Sequence, residues 1–195
     1  MNTRETILAL TQELIQTKGY NSFSYGDISE KLGIKRASIH YYFPQKVDLG
    51  VAVTIRYTDN FKEMLNSINN DKTMPYPKKI EQYFGAFVEI SSTKIKICLG
   101  GALGGEYIVL PELVQVEVQK FFDINLRFLE KVLKDGLKRG ELYLTNTPKE
   151  VAYLIFSSLE GGLIIARSKN KPQHYTKLVK SIILNLTNNQ LSPNK

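Results

Sequence analysis

From Ile34 to Lys46 the chain carries Lys35, Arg36, Lys46 and a titratable His40, interleaved with Ala37, Ser38, Tyr41 and Tyr42, and no acid at all. Cations beside hydroxyl donors in so short a space suit the capture of phosphate oxygens and the reading of base edges. The alternative is a solvated face with Tyr41 and Phe43 turned into the core. A second stretch, Ile97-Cys98-Leu99-Gly100-Gly101-Ala102-Leu103-Gly104-Gly105-Glu106-Tyr107, has the glycine spacing of a phosphate loop. Glu106 stands where the lysine belongs and Tyr107 where the hydroxyl residue belongs, so a nucleotide would be repelled. Glu106 is the one charge from Ile97 to Leu110, and a carboxylate in apolar company needs a partner. It is expected to face a cavity and accept a hydrogen bond from a small ligand, or to pair with Arg127 or Arg167. Catalysis has little to draw on. His40 and His174 are the only histidines, no metal-ligand spacing occurs, and no Ser, His and acid grouping can be assembled. No cofactor, no metal and no enzymatic activity are expected.

The elements that must position these groups read as helices almost throughout. The chain has 195 residues, 43% of them apolar and 23% charged, with 11 Tyr and 9 Phe, enough to bury a real core. Ile7, Leu8, Thr11, Leu14 and Ile15 recur at helical spacing, so a first helix is expected over 4–18, capped by Thr3 and ended by Gly19. Ser24 and Asp27 form a capping box that starts a short helix over 25–32. Gly33 breaks it, and a second short helix runs from 35 or 36 to Phe43, where Pro44 forbids continuation. Two short helices across a glycine turn, with the cations on the second, make a helix-turn-helix. A long helix is expected from Pro44 to Ile68, a connector at 69–77, and further helices near 78–93, 100–109, 111–139, 147–169 and 172–188. Lys94 to Leu99 alternates like a strand, but with no partner strand it is expected as a loop or a helix lead-in. Asn188 to Lys195 is expected to fray.

Net charge is +7, yet residues 1–60 hold 7 Lys and Arg against 6 Asp and Glu, and residues 61–195 hold 19 against 13. The global excess therefore does not point to the reading head. A lone cysteine and a start without a charged-then-apolar pattern imply a reducing compartment, the cytoplasm. Ile97–Leu110 and Val151–Ala166 are each shorter than the roughly 20 residues a membrane helix needs, so no membrane association is expected.

The stretch from Phe23 to Leu49 resembles the DNA-binding segment of the TetR/AcrR family of transcriptional regulators. The match runs through Asp27, Ile28, Gly33, Tyr41, Phe43, Lys46 and Leu49, preceded by Ile7-Leu8, Leu14-Ile15, Gly19 and Phe23. Ser29 departs from the usual Ala, and His40 and Tyr42 stand where Tyr and His are common. The resemblance implies an all-α fold: a helix-turn-helix domain over 1–48 and a helical regulatory and dimerisation domain over 49–195. It implies that Lys35, Arg36, Ala37, Ser38 and His40 face base edges, while Tyr41, Tyr42 and Lys46 hold phosphates. It also implies a homodimer, a palindromic double-stranded operator and a small-molecule inducer, hence a repressor released by its ligand. A constitutive DNA-binding dimer without a ligand is the alternative. Another is a redox or electrophile sensor acting through Cys98, by analogy with members that carry a Cys before a similar glycine-rich helix. A lone Cys among apolar neighbours otherwise reads as inert core.

Two faces of the last helices suit the dimer. They are Val151, Leu154, Ile155, Ser158, Gly162, Ile165 and Ala166 on one, and Tyr175, Leu178, Val179, Ile182, Ile183 and Leu186 on the other. Ile155, Ser158, Gly162, Ile165, Leu178, Ile182 and Leu186 are assigned to a four-helix interface, with Gly161-Gly162 allowing close backbone approach. For the ligand, Phe87, Cys98, Glu106, Tyr107 and Phe122 are the candidates.

Overall fold

The computed structural model describes residues 2–188, and among them the chain forms nine α-helices, one 3-10 turn and no strand. The helices are α1 (Thr3–Lys18), α2 (Tyr25–Leu32), α3 (Arg36–Tyr42), α4 (Lys46–Asn70), α5 (Tyr76–Ser92), α6 (Leu99–Gly105), α7 (Glu112–Lys138), α8 (Pro148–Ser168) and α9 (Pro172–Thr187), with the 3-10 turn at Tyr107–Val109. The all-α expectation holds. The fraying expected beyond Asn188 lies outside the described residues.

Several boundaries move for local reasons. Asn2 caps α1 in place of Thr3, its side chain accepting from the Arg4 amide at 3.0 Å. α4 begins at Lys46, not Pro44, because the Asp48 carboxylate accepts from the Gln45 amide at 2.9 Å and fixes the first turn there. The helix expected over 100–109 divides at Gly105 into α6 and the 3-10 turn. Lys94–Leu99 is irregular up to α6, with Lys94 at φ +65°. Ile97 exchanges two hydrogen bonds with Gln16, one to its backbone carbonyl at 3.2 Å and one from its side-chain amide at 3.0 Å. These satisfy groups that would otherwise be left unpaired in a buried loop.

The chain divides into two compact units. One comprises the chain up to Asn60 together with Lys96–Phe122; the other comprises Phe61–Ile95 and the chain from Asp123 on. The cuts after Asn60 and Phe122 fall inside α4 and α7, and the cut after Ile95 falls in the irregular stretch before α6. In the first unit Leu8, Ile28, Ile39, Leu49, Leu103 and Val114 are all buried. In the second, α5, α8 and α9 pack together around an aromatic core in which Tyr83 lies 5.4 Å from Phe87 and 5.3 Å from Phe128, centroid to centroid. The Tyr83 hydroxyl donates to Asn125 Oδ1 at 2.9 Å. α8 is 21 residues long, longer than its apolar stretch, and by length and composition alone could cross a bilayer. Its inner face, including Ile155, Phe156, Leu159 and Leu163, is buried within its own unit.

Candidate nucleic-acid interface

The helix-turn-helix is set by three local devices. Ser24 Oγ accepts from the Asp27 amide at 3.4 Å while the Asp27 carboxylate accepts from the Ser24 amide at 2.7 Å, closing the capping box. The hydrogen bonds from Ser24 hold the Asp27 carboxyl below its usual range. Gly33 ends α2 at φ +64°, ψ +28°, with open space where a Cβ would sit. It is required there by backbone handedness alone. Across the same turn Ser29 Oγ donates to the Ile34 carbonyl at 2.6 Å. The residue that departs from the family's Ala thus adds a hydrogen bond between α2 and the turn that leads into α3.

α3 then separates its residues cleanly. Ile39 and the following Phe43 are buried, at 0% and 3% exposure, and pin the helix to the core. Lys35, Arg36, Ala37, His40, Tyr41 and Tyr42 are exposed, and Ser38 is half-buried. Positions 36, 37, 40 and 41 fall on one helical face, so the cations are brought together and turned outward. Tyr41 is 80% exposed, which removes the alternative that it is core. Its ring meets that of Tyr42 edge-on at 5.1 Å. His40 is held more firmly. Its ring lies 4.8 Å from Tyr25, and Nδ1 donates to the Pro44 carbonyl at 3.2 Å.

Tyr25 ties α2 to the end of α3, its hydroxyl donating to the Phe43 carbonyl at 2.8 Å. Burial, with smaller contributions from Asp48 and Tyr20, pushes this phenol up to about 12. A folded-state value above that of the unfolded chain means stability present below about pH 10 and lost as pH rises through about 12. We expect the unfolding free energy to decline between these values, and Tyr25→Phe to flatten the decline. Chemical denaturation across that range measures it, and equal slopes for the two chains would refute the assignment.

Lys46 is half-buried, and its ammonium points into the first unit. Nζ donates to the Phe23 carbonyl at 2.6 Å and lies over the Phe23 ring at 4.4 Å and the Tyr20 ring at 4.9 Å. Burial draws its pKa down, opposed by the charges of Glu106 and Asp27. Lys46 thus fastens the start of α4 to the turn between α1 and α2, and keeps donors in reserve beyond the one given to Phe23. Glu106, just after α6, approaches the same turn. It accepts from the Tyr20 amide at 2.8 Å, the Asn21 amide at 3.0 Å and Asn21 Nδ2 at 2.6 Å. Gly19, at φ +92°, has no room for a side chain because Glu106 Oε1 occupies the place of a Cβ.

A family model described as bacterial regulatory proteins, tetR family, matches residues 7–53, from α1 into α4. The crystal structure of a TetR transcriptional regulator from Legionella pneumophila is 35% identical in sequence, covers 95% of this chain and 98% of its own, and superimposes with a TM-score of 0.87. The chain belongs to the TetR family. A TetR-family regulator from Agrobacterium tumefaciens is similar at 29% identity and a TM-score of 0.87, over 95% of this chain and 97% of that one. The HTH-type transcriptional repressor DhaR of Mycobacterium sp. (strain GP1) is 20% identical over 189 residues, 95% of this chain and 94% of DhaR. Fold and family are those of helix-turn-helix transcriptional regulators, and this TetR-family chain is a DNA-binding regulator of that type.

The candidate ligand residues of this TetR-family chain are drawn from both compact units. Phe87 is buried in the second unit, 5.9 Å from Phe61 and 6.4 Å from Phe156. Cys98, Glu106, Tyr107 and Phe122 belong to the first. Cys98 is fully buried, its sulfur accepting from the Tyr57 hydroxyl at 3.6 Å, which favours packing over a reactive thiolate. Phe122 is half-buried beside Gly100 and Gly104. Tyr107 meets the Gln119 side chain through its hydroxyl and accepts from Gln115 through its carbonyl. Glu106 pairs with neither of the arginines expected for it. Its hydrogen bonds go to Tyr20 and Asn21, not to Arg127 or Arg167, because backbone amides just after α1 offer it donors that no sequence pattern reveals.

On α8 and α9 the seven positions assigned to the dimer divide. Ile155 and Leu186 are 3% and 5% exposed and already belong to the chain's own core. Ser158, Gly162, Leu178 and Ile182 are half-buried, and Ile165 is 55% exposed. Gly162 lies against Tyr175 and Leu178 of α9, so the close approach it allows is within the chain. Leu154, Ile164 and Leu184, which the assignment omitted, are exposed. A groove of about 530 Å³ runs between α8 and α9, with Ile155, Leu178, Ile182 and Leu186 among its walls.

Proposed function

We propose that the chain is a homodimeric repressor in the cytoplasm that holds a palindromic operator and is released by a small-molecule inducer, without catalytic activity of its own. The observation that carries this reading is the division of α3 into a buried side, Ile39 with Phe43 just beyond, and an exposed side bearing Arg36, His40 and Tyr41. One seven-residue helix touches few bases, so two copies related by a two-fold axis are needed to read a useful site. That the similar DhaR is a transcriptional repressor supports this direction of control. Residues 1–48 supply the reading head and 49–195 the regulation and pairing. α4 and α7 each run from one compact unit into the other, so a ligand that prefers one arrangement of the second unit changes the spacing of paired α3 helices. Such coupling is worth about 1–3 kcal/mol, or about 5- to 150-fold in affinity.

Lys35, Arg36, Ala37, Ser38 and His40 are placed on base edges, and Tyr41, Tyr42 and Lys46 on phosphates. Selection of bound duplexes from a random pool tests the whole reading: a two-fold-symmetric consensus is expected, and a flat profile would refute it. With that duplex, Lys46→Ala is expected to weaken binding to every sequence and to flatten the salt dependence by about one unit. Arg36→Ala or Lys35→Ala is expected instead to relax preference at one position of each half-site. Titration across salt concentrations separates the two classes, and an unchanged slope for Lys46→Ala would remove Lys46 from the phosphate contacts.

A further inference from the structure

Most of the cationic excess lies in residues 61–195, outside the reading head. Within the second unit part of it converges on a small polar recess of about 170 Å³ whose walls include Asn69, Lys72, Lys79, Lys131, Asp135 and Arg139. Four cations there face one carboxylate, and that carboxylate already accepts from Lys131 Nζ at 3.0 Å. The other nearby acids are committed elsewhere. Asp71 accepts from the Thr73 amide and hydroxyl and the Met74 amide, and Glu141 from the Tyr76 amide.

Helix ends explain part of this gathering. α4 and α7 both finish here, and their free carbonyls attract positive charge. Lys79 answers that need fully. It is 5% exposed, and its Nζ donates to the carbonyls of Ile68 at 3.0 Å, Asn69 at 3.3 Å and Asp71 at 2.6 Å. Burial draws its pKa down, as do Lys72, Lys131 and Arg139, with the Asp71 carboxylate opposing them. The remaining cations exceed what the helix ends use. Lys72 makes one long contact, 3.4 Å to the Asn69 carbonyl, and Arg139 stacks over the Tyr76 ring at 5.5 Å with its planar fork exposed.

We propose that this recess is an anion site for the phosphate group of a small phosphorylated molecule. Arg139 supplies paired N–H donors, Lys72 and Lys131 supply mobile point charges, and buried Lys79 a fixed background charge without a spare donor. The volume holds a phosphate and a few waters, at about 30 Å³ for each water, so the rest of a phosphorylated molecule would extend into solvent. Arg139 and Lys72 are exposed, so their removal leaves the core intact.

The experiment is thermal unfolding of the full chain at constant ionic strength with chloride, inorganic phosphate or phenyl phosphate. Both phosphates are expected to raise Tm saturably, by about 3 °C at tenfold the half-saturating concentration, while chloride does not. Arg139→Ala and Lys72→Ala are each expected to raise that concentration about tenfold, as removal of one charge-assisted contact does, whereas Lys177→Ala, at an exposed cation of α9 that does not line the recess, leaves it unchanged. An equal rise with chloride, or an unaltered half-saturation in Arg139→Ala, would overturn the site. A rise with inorganic phosphate but none with phenyl phosphate would overturn its assignment to phosphorylated molecules. No DNA enters the measurement, so its outcome is independent of the operator reading.

Discussion

A chain carrying Leu154→Asp and Ile165→Asp is expected to fold, to sediment as a monomer, and to hold a two-half-site duplex about 100-fold more weakly or worse. Leu154 and Ile165 are 64% and 55% exposed, and eleven residues apart they share one face of α8. Because the chain's own core uses them little, their loss costs its stability within the small range typical of surface changes. In a two-fold interface each aspartate is buried twice, once per protomer, at the desolvation cost of a charge removed from water. The affinity loss follows from linkage: once the halves separate, the second half-site contact ceases to be intramolecular, and effective-concentration gains of about 10²- to 10⁴-fold disappear. Sedimentation and duplex titration on the same samples measure both effects. A double variant that remains dimeric would move the interface off α8. Ile155→Asp is the instructive contrast, since Ile155 is 3% exposed and its change should unfold the second unit before dimerisation can be assayed.

Glu106→Ala is expected to lower the unfolding free energy of the chain by about 2 kcal/mol, since hydrogen bonds to a charged group are worth about 1.5–3 kcal/mol and water replaces part of what is lost. Three donors lose their acceptor together, two of them backbone amides in the turn that leads into α2. The same turn carries Tyr20 and Phe23, the rings and carbonyl against which Lys46 rests. Loosening it should therefore also weaken operator binding, through the position of α2 and α3 rather than through any lost contact to DNA. Glu106→Gln keeps one acceptor oxygen and is expected to fall between the two. Urea denaturation reads the stability, and a change under about 0.5 kcal/mol, the range of an ordinary surface substitution, would mean the carboxylate is replaced by water at no cost.

What the sequence made legible follows the range of the interactions. The capping box at Ser24 and Asp27, the left-handed Gly33 and the stop at Pro44 depend on residues within a few positions of one another, and each was found where the pattern put it. The exposed cations of α3 follow from the same local periodicity once Ile39 and Phe43 are taken as the buried side. Glu106 shows the limit. Its isolation among glycines and apolar residues signalled that it must have a partner, but donors 85 and 86 positions away are backbone amides, which every residue but proline possesses. Gln16 and Ile97 pair in the same way. On α8 the helical period marked apolar positions correctly but not which of them face inward, because apolar residues lie on both sides of that helix. Ile155 and Leu154 differ by one step in the sequence and by most of their exposure in the fold.

The first compact unit is assembled from two separated pieces of chain, with Lys96–Phe122 returning to residues up to Asn60. Transplanting residues 1–48 alone onto another regulator would leave behind the acceptor for the Tyr20 and Asn21 amides and the loop that clasps Gln16. A portable specificity cassette has to be cut as a discontinuous graft, carrying the later piece along with the head it steadies.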